Sequence, residues 1–316
     1  MITFNELLQG VTSVAILGHI RPDGDCVGSC LATWNYIRQY DPTIRAQVYL
    51  EPIPNVFRFL PGADRISNNP ADRSEPYDLC IVQDCSDTLR PGPFLAYFQT
   101  AKRTACIDHH ISNENFAEIN YVVGDASSTA ELIYTMMEEK DVTKEIAACI
   151  YTGIVHDTGV FQYSATSSST MNIAGKLMET GIDFTRIIDE TFYTKTYEQN
   201  RVLGQALLKS RLYLDGACIA SYITQEEMTE FGVMPKHLDG IVSQLRVTKG
   251  VELAIFLYEL PEHHFKLSMR SNGQINVAEI AVKFGGGGHV RAAGADMPGE
   301  AEEIIERVLC EAKKQL

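Results

Sequence analysis

The sequence of 316 residues lacks the features that would place it in a membrane, a secretion route or a disulfide-rich class. No apolar run approaches the roughly 20 residues that a membrane-spanning helix requires, so we expect no membrane partner. The N-terminal residues 1–6 show no basic stretch followed by an apolar one, so we expect no signal peptide. The eight cysteines include no Cys-x-x-Cys pair. Reduced, buried thiols and a cytoplasmic location are the expectation.

Basic residues are also scarce, with 27 Lys and Arg against 41 Asp and Glu and a formal net charge of −14. Because backbone phosphates dominate nucleic-acid affinity, this balance argues against binding long duplex nucleic acid. The stretch 241–294 is the exception, with six Lys or Arg against four Glu. Such a segment suits a small anionic ligand, although on charge alone a chance fluctuation is the better explanation.

Short apolar runs alternate with amphipathic helical stretches through the first half of the chain, and this alternation predicts a parallel sheet with helices on both faces. The predicted strands are 14–17, 45–50, 79–83, 103–107 and 121–123, and the predicted helices include 28–39, 143–156, 168–180 and 194–209. The sequence Ser127 to Glu131 opens a further helix, with capping-box spacing between Ser128 and Glu131.

The second half has a different pattern, which predicts a smaller α+β domain. Runs at 211–214 and 217–222 flank Asp215-Gly216, a pair typical of β-hairpins. Further strands are predicted at 251–259 and 265–270, and an amphipathic helix at 299–314. We therefore predict an α/β protein with one domain at 1–190, a helical linker at 191–212 and a second domain at 213–316.

Carboxylates and imidazoles follow the predicted strands, where an open parallel sheet binds its ligands. They come from four segments: His19, Asp23 and Asp25; Asp84; Asp108, His109 and His110; and Asp157. Taken singly, His19 could be a structural histidine, Asp84 a helix cap and Asp157 part of a turn. Five carboxylates packed together would repel one another, and two divalent cations would remove that cost.

The donor types indicate which cation would bind. Each metal would receive about one imidazole and three carboxylate oxygens, a set that suits Mn²⁺ and less certainly Mg²⁺, Zn²⁺ or Co²⁺. We expect Gly24 to bend the loop that carries Asp23 and Asp25. Cys26 is interpreted as a packed thiol, and the role of His156, next to Asp157, is open.

The motifs in these segments resemble those of the DHH phosphoesterases. They are "HIRPDGD" at 19–25, "QDCSD" around Asp84, "DHH" at 108–110 and "HDTG" around Asp157. The second half resembles the accessory DHHA1 domain of that family through "SMRS" at 268–271 and "GGGGHVRAAG" at 285–294. The resemblance covers essentially the whole chain.

The resemblance implies a role for each of these residues. His19 and Asp23 would bind the first metal, Asp25, His109 and Asp157 the second, and Asp84 would bridge the two. Asp108 would accept a hydrogen bond from an imidazole, and His110 would face the scissile phosphate. The other half of the substrate would be held, in a cleft between the domains, by Arg270, the glycine loop of Gly285, Gly286, Gly287 and Gly288, and His289.

The two-domain length resembles the nanoRNase/pAp-phosphatase group within that family. This implies a Mn²⁺-dependent enzyme, commonly a homodimer, that releases 5′-mononucleotides from short oligoribonucleotides and dephosphorylates adenosine 3′,5′-bisphosphate (pAp). Two alternatives stay open. One is an inorganic pyrophosphatase or exopolyphosphatase, and the other is a non-catalytic nucleotide-binding protein.

Overall fold

The structure is a computed structural model that describes residues 2–72 and 75–316. The chain divides into two compact units, Met1–Thr194 and Lys195–Leu316. The helix Tyr197–Lys209 packs Val202 and Ala206 into the core of the second unit. The boundaries predicted for the functional domains, at 190 and 213, stay a prediction.

The first unit is built on a five-stranded sheet with the strand order β2-β1-β3-β4-β5, all parallel. This confirms the predicted α/β fold. Its elements are α1 (Phe4–Leu7), β1 (Ser13–Leu17), α2 (Gly24–Tyr40), β2 (Arg45–Tyr49), β3 (Leu79–Gln83), α3 (Leu95–Thr100), β4 (Thr104–Asp108), β5 (Ile119–Val122), α4 (Thr129–Thr135), α5 (Lys144–Asp157), α6 (Ser168–Glu179) and α7 (Phe184–Ile188). A π-helix, Asp189–Tyr193, follows α7.

Both faces of this sheet are covered, which explains why β1 and β3 are buried along their whole length and are apolar except for Ser13 and Gln83. One face is covered by residues of α1, α2, α4, α5 and α6. The other face is covered by Phe94, which immediately precedes α3, and by Tyr97 within α3. Such a sheet leaves its strand ends as the places where polar side chains can gather.

Two glycines let the helices on the first face approach closely. A Cβ atom on Gly28 of α2 would lie 2.5 Å from the carbonyl oxygen of Cys149 in α5. A Cβ atom on Gly153 of α5 would lie 2.5 Å from the Cβ atom of Ala130 in α4. Neither distance is tolerated between real atoms, so glycine at these positions allows the packing of α2, α4 and α5.

The second unit contains a six-stranded mixed sheet with the strand order β10-β11-β9-β8-β7-β6, in which only β7 and β8 pair in parallel. The hairpin predicted around Asp215-Gly216 is present as β6 and β7. The elements are α8 (Tyr197–Lys209), β6 (Arg211–Tyr213), β7 (Cys218–Ile223), α9 (Gln225–Phe231), α10 (Ile241–Arg246), β8 (Leu253–Leu260), β9 (His264–Ser271), α11 (Val277–Lys283), β10 (Gly287–His289), β11 (Ala292–Pro298) and α12 (Ala301–Ala312).

The glycine run differs from the predicted loop. Gly287, Gly288 and His289 form the edge strand β10, which pairs with β11. A Cβ atom on Gly286 would lie 2.1 Å from the carbonyl oxygen of Gly294, and one on Gly288 would lie 2.5 Å from that of Ala292. The glycines therefore permit close packing against β11, which the sequence analysis missed because its small residues lack a strand-like pattern.

The structure bears on two further expectations, which concern membrane-spanning helices and the state of the cysteines. Within residues 2–72 and 75–316, no helix is long and apolar enough to cross a membrane. All eight cysteines are free thiols, and seven of them, all except Cys310, are buried. The prediction of reduced, buried thiols is thus confirmed for every cysteine but one.

Candidate metal centre

The candidate site lies at the carboxyl ends of three neighbouring parallel strands. His19 comes two residues after β1, Asp84 directly after β3, and Asp108 is the last residue of β4. Strand β3 lies between β1 and β4 in the sheet, so Asp84 is the central residue of the three. All three side chains are at least nine-tenths buried.

The segment after His19 turns into a helix sooner than predicted. Helix α2 begins at Gly24, and the Asp23 carboxylate caps it by accepting hydrogen bonds from the backbone N–H groups of Asp25 and Cys26, each at 3.1 Å. Asp25 therefore lies in the first helical turn and not in a bent loop. Gly24 has a different role from the expected one, since its missing Cβ makes room for the His156 ring.

A first group of donors forms around His19. Its Nδ1–H donates to the carbonyl oxygen of Ile20 at 2.8 Å, which leaves Nε2 as the lone-pair nitrogen when the ring is neutral. That Nε2 atom lies 3.5 Å from Asp23 Oδ2 and 3.4 Å from Asp84 Oδ2. One imidazole and two carboxylates thus face a common point.

A second group forms around His109, which follows β4. Its Nε2 atom lies 3.1 Å from Asp157 Oδ2, at the C-terminal end of α5. The same atom lies 3.6 Å from Asp84 Oδ1 and 4.0 Å from Asp25 Oδ2. One imidazole and three carboxylates meet here.

Asp84 belongs to both groups, with one oxygen in each. Oδ2 faces His19 and Oδ1 faces His109. The Asp84 backbone is in the left-handed region, at φ 56°, where aspartate is tolerated better than most residues. The Thr129 hydroxyl donates to Oδ1 at 3.3 Å. In this conformation the two carboxylate oxygens face different imidazole–carboxylate groups.

Asp25 is held by the N-terminus of α4, a contact that sequence reasoning missed. Its two oxygens accept hydrogen bonds from the backbone N–H groups of Thr129 at 2.7 Å and Ala130 at 2.8 Å. Helix α4 starts where predicted, capped by Ser128, but the Glu131 carboxylate bonds to Ser127 and Thr170 and so does not complete the predicted capping box. In the sequence, only Ser127-Ser128-Thr129 at the start of α4 indicated that a helix N-terminus lies here.

The pKa values of Asp25, His109 and Asp157 are shifted because several carboxylates lie close together in a buried site. Burial, followed by the charges of Asp84 and Asp157, raises the pKa of Asp25 well above its usual value. Burial by itself would lower the pKa of His109, but its hydrogen bond to Asp157 and the charge of Asp25 outweigh this and raise it to about 10. Burial also raises the pKa of Asp157. Without cations, protons must offset the carboxylate charges.

Asp108 orients His110, and it also accepts a hydrogen bond from the backbone N–H of His109 at 2.9 Å. Its Oδ1 accepts a hydrogen bond from His110 Nδ1 at 2.7 Å and its Oδ2 accepts one from Asn113 at 2.6 Å. Burial would raise the pKa of Asp108, but these two hydrogen bonds lower it overall. The anionic carboxylate keeps the proton of His110 on Nδ1 and leaves Nε2 as the atom for other contacts.

Two neighbours of the site complete its surroundings. The Cys26 thiol is fully buried beside His19, and burial raises its pKa well above the usual value, which disfavours the thiolate that a metal would need. His156 bonds through Nε2 to the Thr191 hydroxyl at 2.9 Å, and its ring packs edge-on to Phe57. His156 thus links α5 to the π-helix.

The donor set fits a pair of divalent cations. In three groups, atoms from each member lie within 4.8 Å of one another: His19, Cys26 and Asp84; Asp84, His109 and His110; and Asp25, His109 and Asp157. Carboxylate oxygens with a few imidazole nitrogens are the ligands of Mn²⁺, Mg²⁺, Co²⁺ and oxygen-rich Zn²⁺ sites. Cations would also replace the protons that the raised pKa values imply.

Apart from His110, the residues predicted to bind substrate lie in the second unit. Arg270 on β9 pairs in register with Ala292 on β11, and Ala292 pairs with His289 on β10. Directly opposed residues of antiparallel strands project from the same face, so Arg270 and His289 share one face of this sheet. Gly287, Gly288 and His289 are exposed.

Each of the two units matches a known family domain. Residues 13–154 match the family model described as the DHH family, N-terminal domain, and residues 215–316 match the DHHA1 domain. A crystal structure of an exopolyphosphatase-related protein from Bacteroides fragilis has a TM-score of 0.91 to this chain. It is 27% identical and covers 98% of this chain and 94% of its own.

Curated relatives match over nearly their full length. The bifunctional oligoribonuclease and PAP phosphatase NrnA of Thermus thermophilus is 28% identical over 98% of this chain and 93% of its own length. The Bacillus subtilis protein of the same description is 26% identical over 95% and 96%. With both family domains in order and the four motifs at one sheet edge, the chain belongs to the DHH/DHHA1 phosphoesterase family.

Proposed function

We propose that this protein is a two-metal phosphoesterase that hydrolyses short oligoribonucleotides to 5′-mononucleotides and converts pAp to AMP, with Mn²⁺ as its metal. The observation that carries the proposal is the position of Asp84. Its two oxygens face two separate imidazole–carboxylate groups, 3.4 Å from His19 Nε2 and 3.6 Å from His109 Nε2. A shared carboxylate of this kind suits two cations close enough to act on one phosphate.

The residues of the chain have distinct tasks in this mechanism. A pair of divalent cations bound here would supply an activated water for attack on phosphorus and would offset the charge on the phosphoryl oxygens. His19 and Asp23 would hold one cation, Asp25, His109 and Asp157 would hold the other, and Asp84 would contact both. His110, with its Nδ1 proton held by Asp108, presents Nε2 to a phosphoryl oxygen or to the leaving oxygen.

We propose that the second unit binds the remainder of the substrate. The Arg270 guanidinium offers a bidentate contact to a terminal phosphate, and His289 projects from the same sheet face. The exposed backbone of Gly287 and Gly288 allows an anion to approach closely. The net charge of −14 also favours very short substrates over polymers.

The comparisons support this substrate class. Relatives named as oligoribonuclease and PAP phosphatase align over almost the whole chain. A Listeria monocytogenes relative named cyclic-di-AMP phosphodiesterase PdeA is 29% identical, with the chain spanning 48% of its length. We also propose that the protein is a homodimer and that it is located in the cytoplasm. Light scattering of the full chain tests the dimer, since it measures the mass of the particle in solution.

Mononucleotide release from a labelled RNA dinucleotide is the direct test of the proposed function. The purified protein with Mn²⁺ is expected to release 5′-mononucleotides, with phosphate release from pAp in a parallel reaction. Inorganic pyrophosphate serves as the contrasting substrate. If phosphate were released from pyrophosphate while the dinucleotide and pAp stayed intact, a pyrophosphatase would replace the present proposal.

Replacing Asp108 with asparagine is expected to lower kcat about 10- to 100-fold, since changing the partner that orients a site histidine has effects of that size. The NH₂ group of the asparagine would face a donor, either His110 Nδ1–H or the Asn113 amide. The His110 tautomer that carries its proton on Nδ1 would then no longer be favoured. Steady-state kinetics on the dinucleotide would show a fall in kcat larger than any rise in KM. An unchanged kcat in a folded variant would exclude this role for Asp108.

A further inference from the structure

The chain makes an unusual turn directly after Asp157. Gly159, Val160 and Phe161 all adopt left-handed backbone conformations, with φ values of 55°, 57° and 65°. This conformation is unfavourable for Val160 because its side chain is β-branched. Strain of this kind persists only where the surrounding structure imposes it, and it is concentrated at functional sites.

Several contacts impose this turn. The Val160 N–H donates to the carbonyl oxygen of Val155 at 2.8 Å, and the Tyr163 N–H donates to that of Thr158 at 2.9 Å. The Thr158 side chain is fully buried, and its hydroxyl accepts a hydrogen bond from the Phe161 N–H at 3.0 Å. The path of the chain from Asp157 to Tyr163 is therefore fixed.

The turn places the Tyr163 ring over Gly159, two residues from the candidate metal ligand Asp157. A Cβ atom on Gly159 would lie 2.4 Å from Cζ of Tyr163, so the ring packs directly on the glycine backbone. Nevertheless, 48% of Tyr163 is exposed. Among the described residues, no other aromatic ring and no cation stacks on it. One side of the ring is supported and the other is open.

We propose that the open face of Tyr163 is a stacking platform for a nucleobase of the substrate. This inference rests on the proposed function and adds a substrate-binding residue to it. Because the ring lies on Gly159, two residues after Asp157, a nucleotide whose phosphate reached the metal centre would bring its base towards Tyr163. Every base has a π-face, so stacking on Tyr163 supports substrates of any sequence. The fixed turn keeps the ring in place before substrate binds.

Kinetics with three matched substrates test the platform. One is an intact RNA dinucleotide, and the other two are the same dinucleotide with the base removed at one or the other position. Tyr163→Ala is expected to raise KM for the intact dinucleotide about 10-fold, as one lost base–aromatic stack would. Tyr163→Phe keeps the ring and is expected to behave as the wild type. For one of the two abasic substrates, Tyr163→Ala and the wild type should have equal KM values.

A matched control is Tyr40→Ala, since Tyr40 is 47% exposed but lies at the C-terminal end of α2, away from the metal ligands. It should leave KM for all three substrates unchanged. The stacking proposal is overturned if Tyr163→Ala turns over the intact dinucleotide with the wild-type KM, or raises KM equally for all three substrates. If the wild type releases no nucleotide, the proposed function and the platform fail together.

Discussion

Asp84→Asn is expected to lower kcat/KM for the RNA dinucleotide by about 10³-fold or more. Removing one group that offsets charge in a reaction costs about 10²- to 10³-fold, and Asp84 serves both cation positions. The amide keeps the size of the side chain but can offer only one oxygen, whereas the two carboxylate oxygens face His19 and His109. Nucleotide release and the count of bound Mn²⁺ ions should fall together.

Asp87→Asn is the matched control for this substitution. Asp87 lies three residues further along the same loop, and its carboxylate accepts a hydrogen bond from the Leu89 N–H at 2.8 Å. Its neutralisation is expected to leave turnover and Mn²⁺ stoichiometry unchanged. A different outcome would identify a nucleotide-binding protein without catalysis. In that outcome the wild type shows no turnover, and Asp84→Asn only weakens nucleotide binding.

Gly153→Ala is expected to damage both the fold and the metal centre. The new Cβ atom would lie 2.5 Å from Cβ of Ala130 and 2.7 Å from Oδ1 of Asp25. Relieving these contacts must move α4 away from α5 or displace the Asp25 carboxylate from the α4 N-terminus. Overpacking of a core costs about 1–3 kcal/mol, so urea denaturation should show a fall of that size. Mn²⁺ titration should show weaker binding.

Gly175→Ala separates this effect from the general effect of a glycine substitution. Gly175 lies inside helix α6 with open space around it. There, alanine should raise the free energy of unfolding by about 0.5–1 kcal/mol, because it restricts the unfolded chain. Gly153→Ala with wild-type stability and wild-type Mn²⁺ affinity would show that the close approach of α4, α5 and Asp25 is not needed.

Sequence reasoning located the site because two simple rules acted together. Apolar runs marked the strands, with β3 predicted at its observed limits, 79–83. Parallel strands then carried the residues that follow them to one sheet edge. His19, Asp84 and His109 come from strands far apart in sequence, yet the structure brings their ligand atoms within a few ångströms.

Contacts that depend on packing could not be predicted in this way. Gly153 matters because of which helices cross there. A hydrogen bond from an imidazole to Asp108 was expected, but the choice of His110 as its donor depends on a side-chain geometry that no spacing encodes. The early start of α2 at Gly24 depends on the Asp23 cap competing with the turn residues around it. Strand β10 is glycine-rich, so its pairing with β11 leaves no apolar pattern.

The central claim is that two cations, sharing Asp84, act together in hydrolysis. A Mn²⁺ titration of the metal-free wild type, with bound metal and dinucleotide hydrolysis measured in the same samples, tests it most directly. The rate is expected to stay low after the first equivalent and to reach its plateau only when two Mn²⁺ ions are bound per chain. Full activity with a single bound ion, or no hydrolysis with two, would contradict the account.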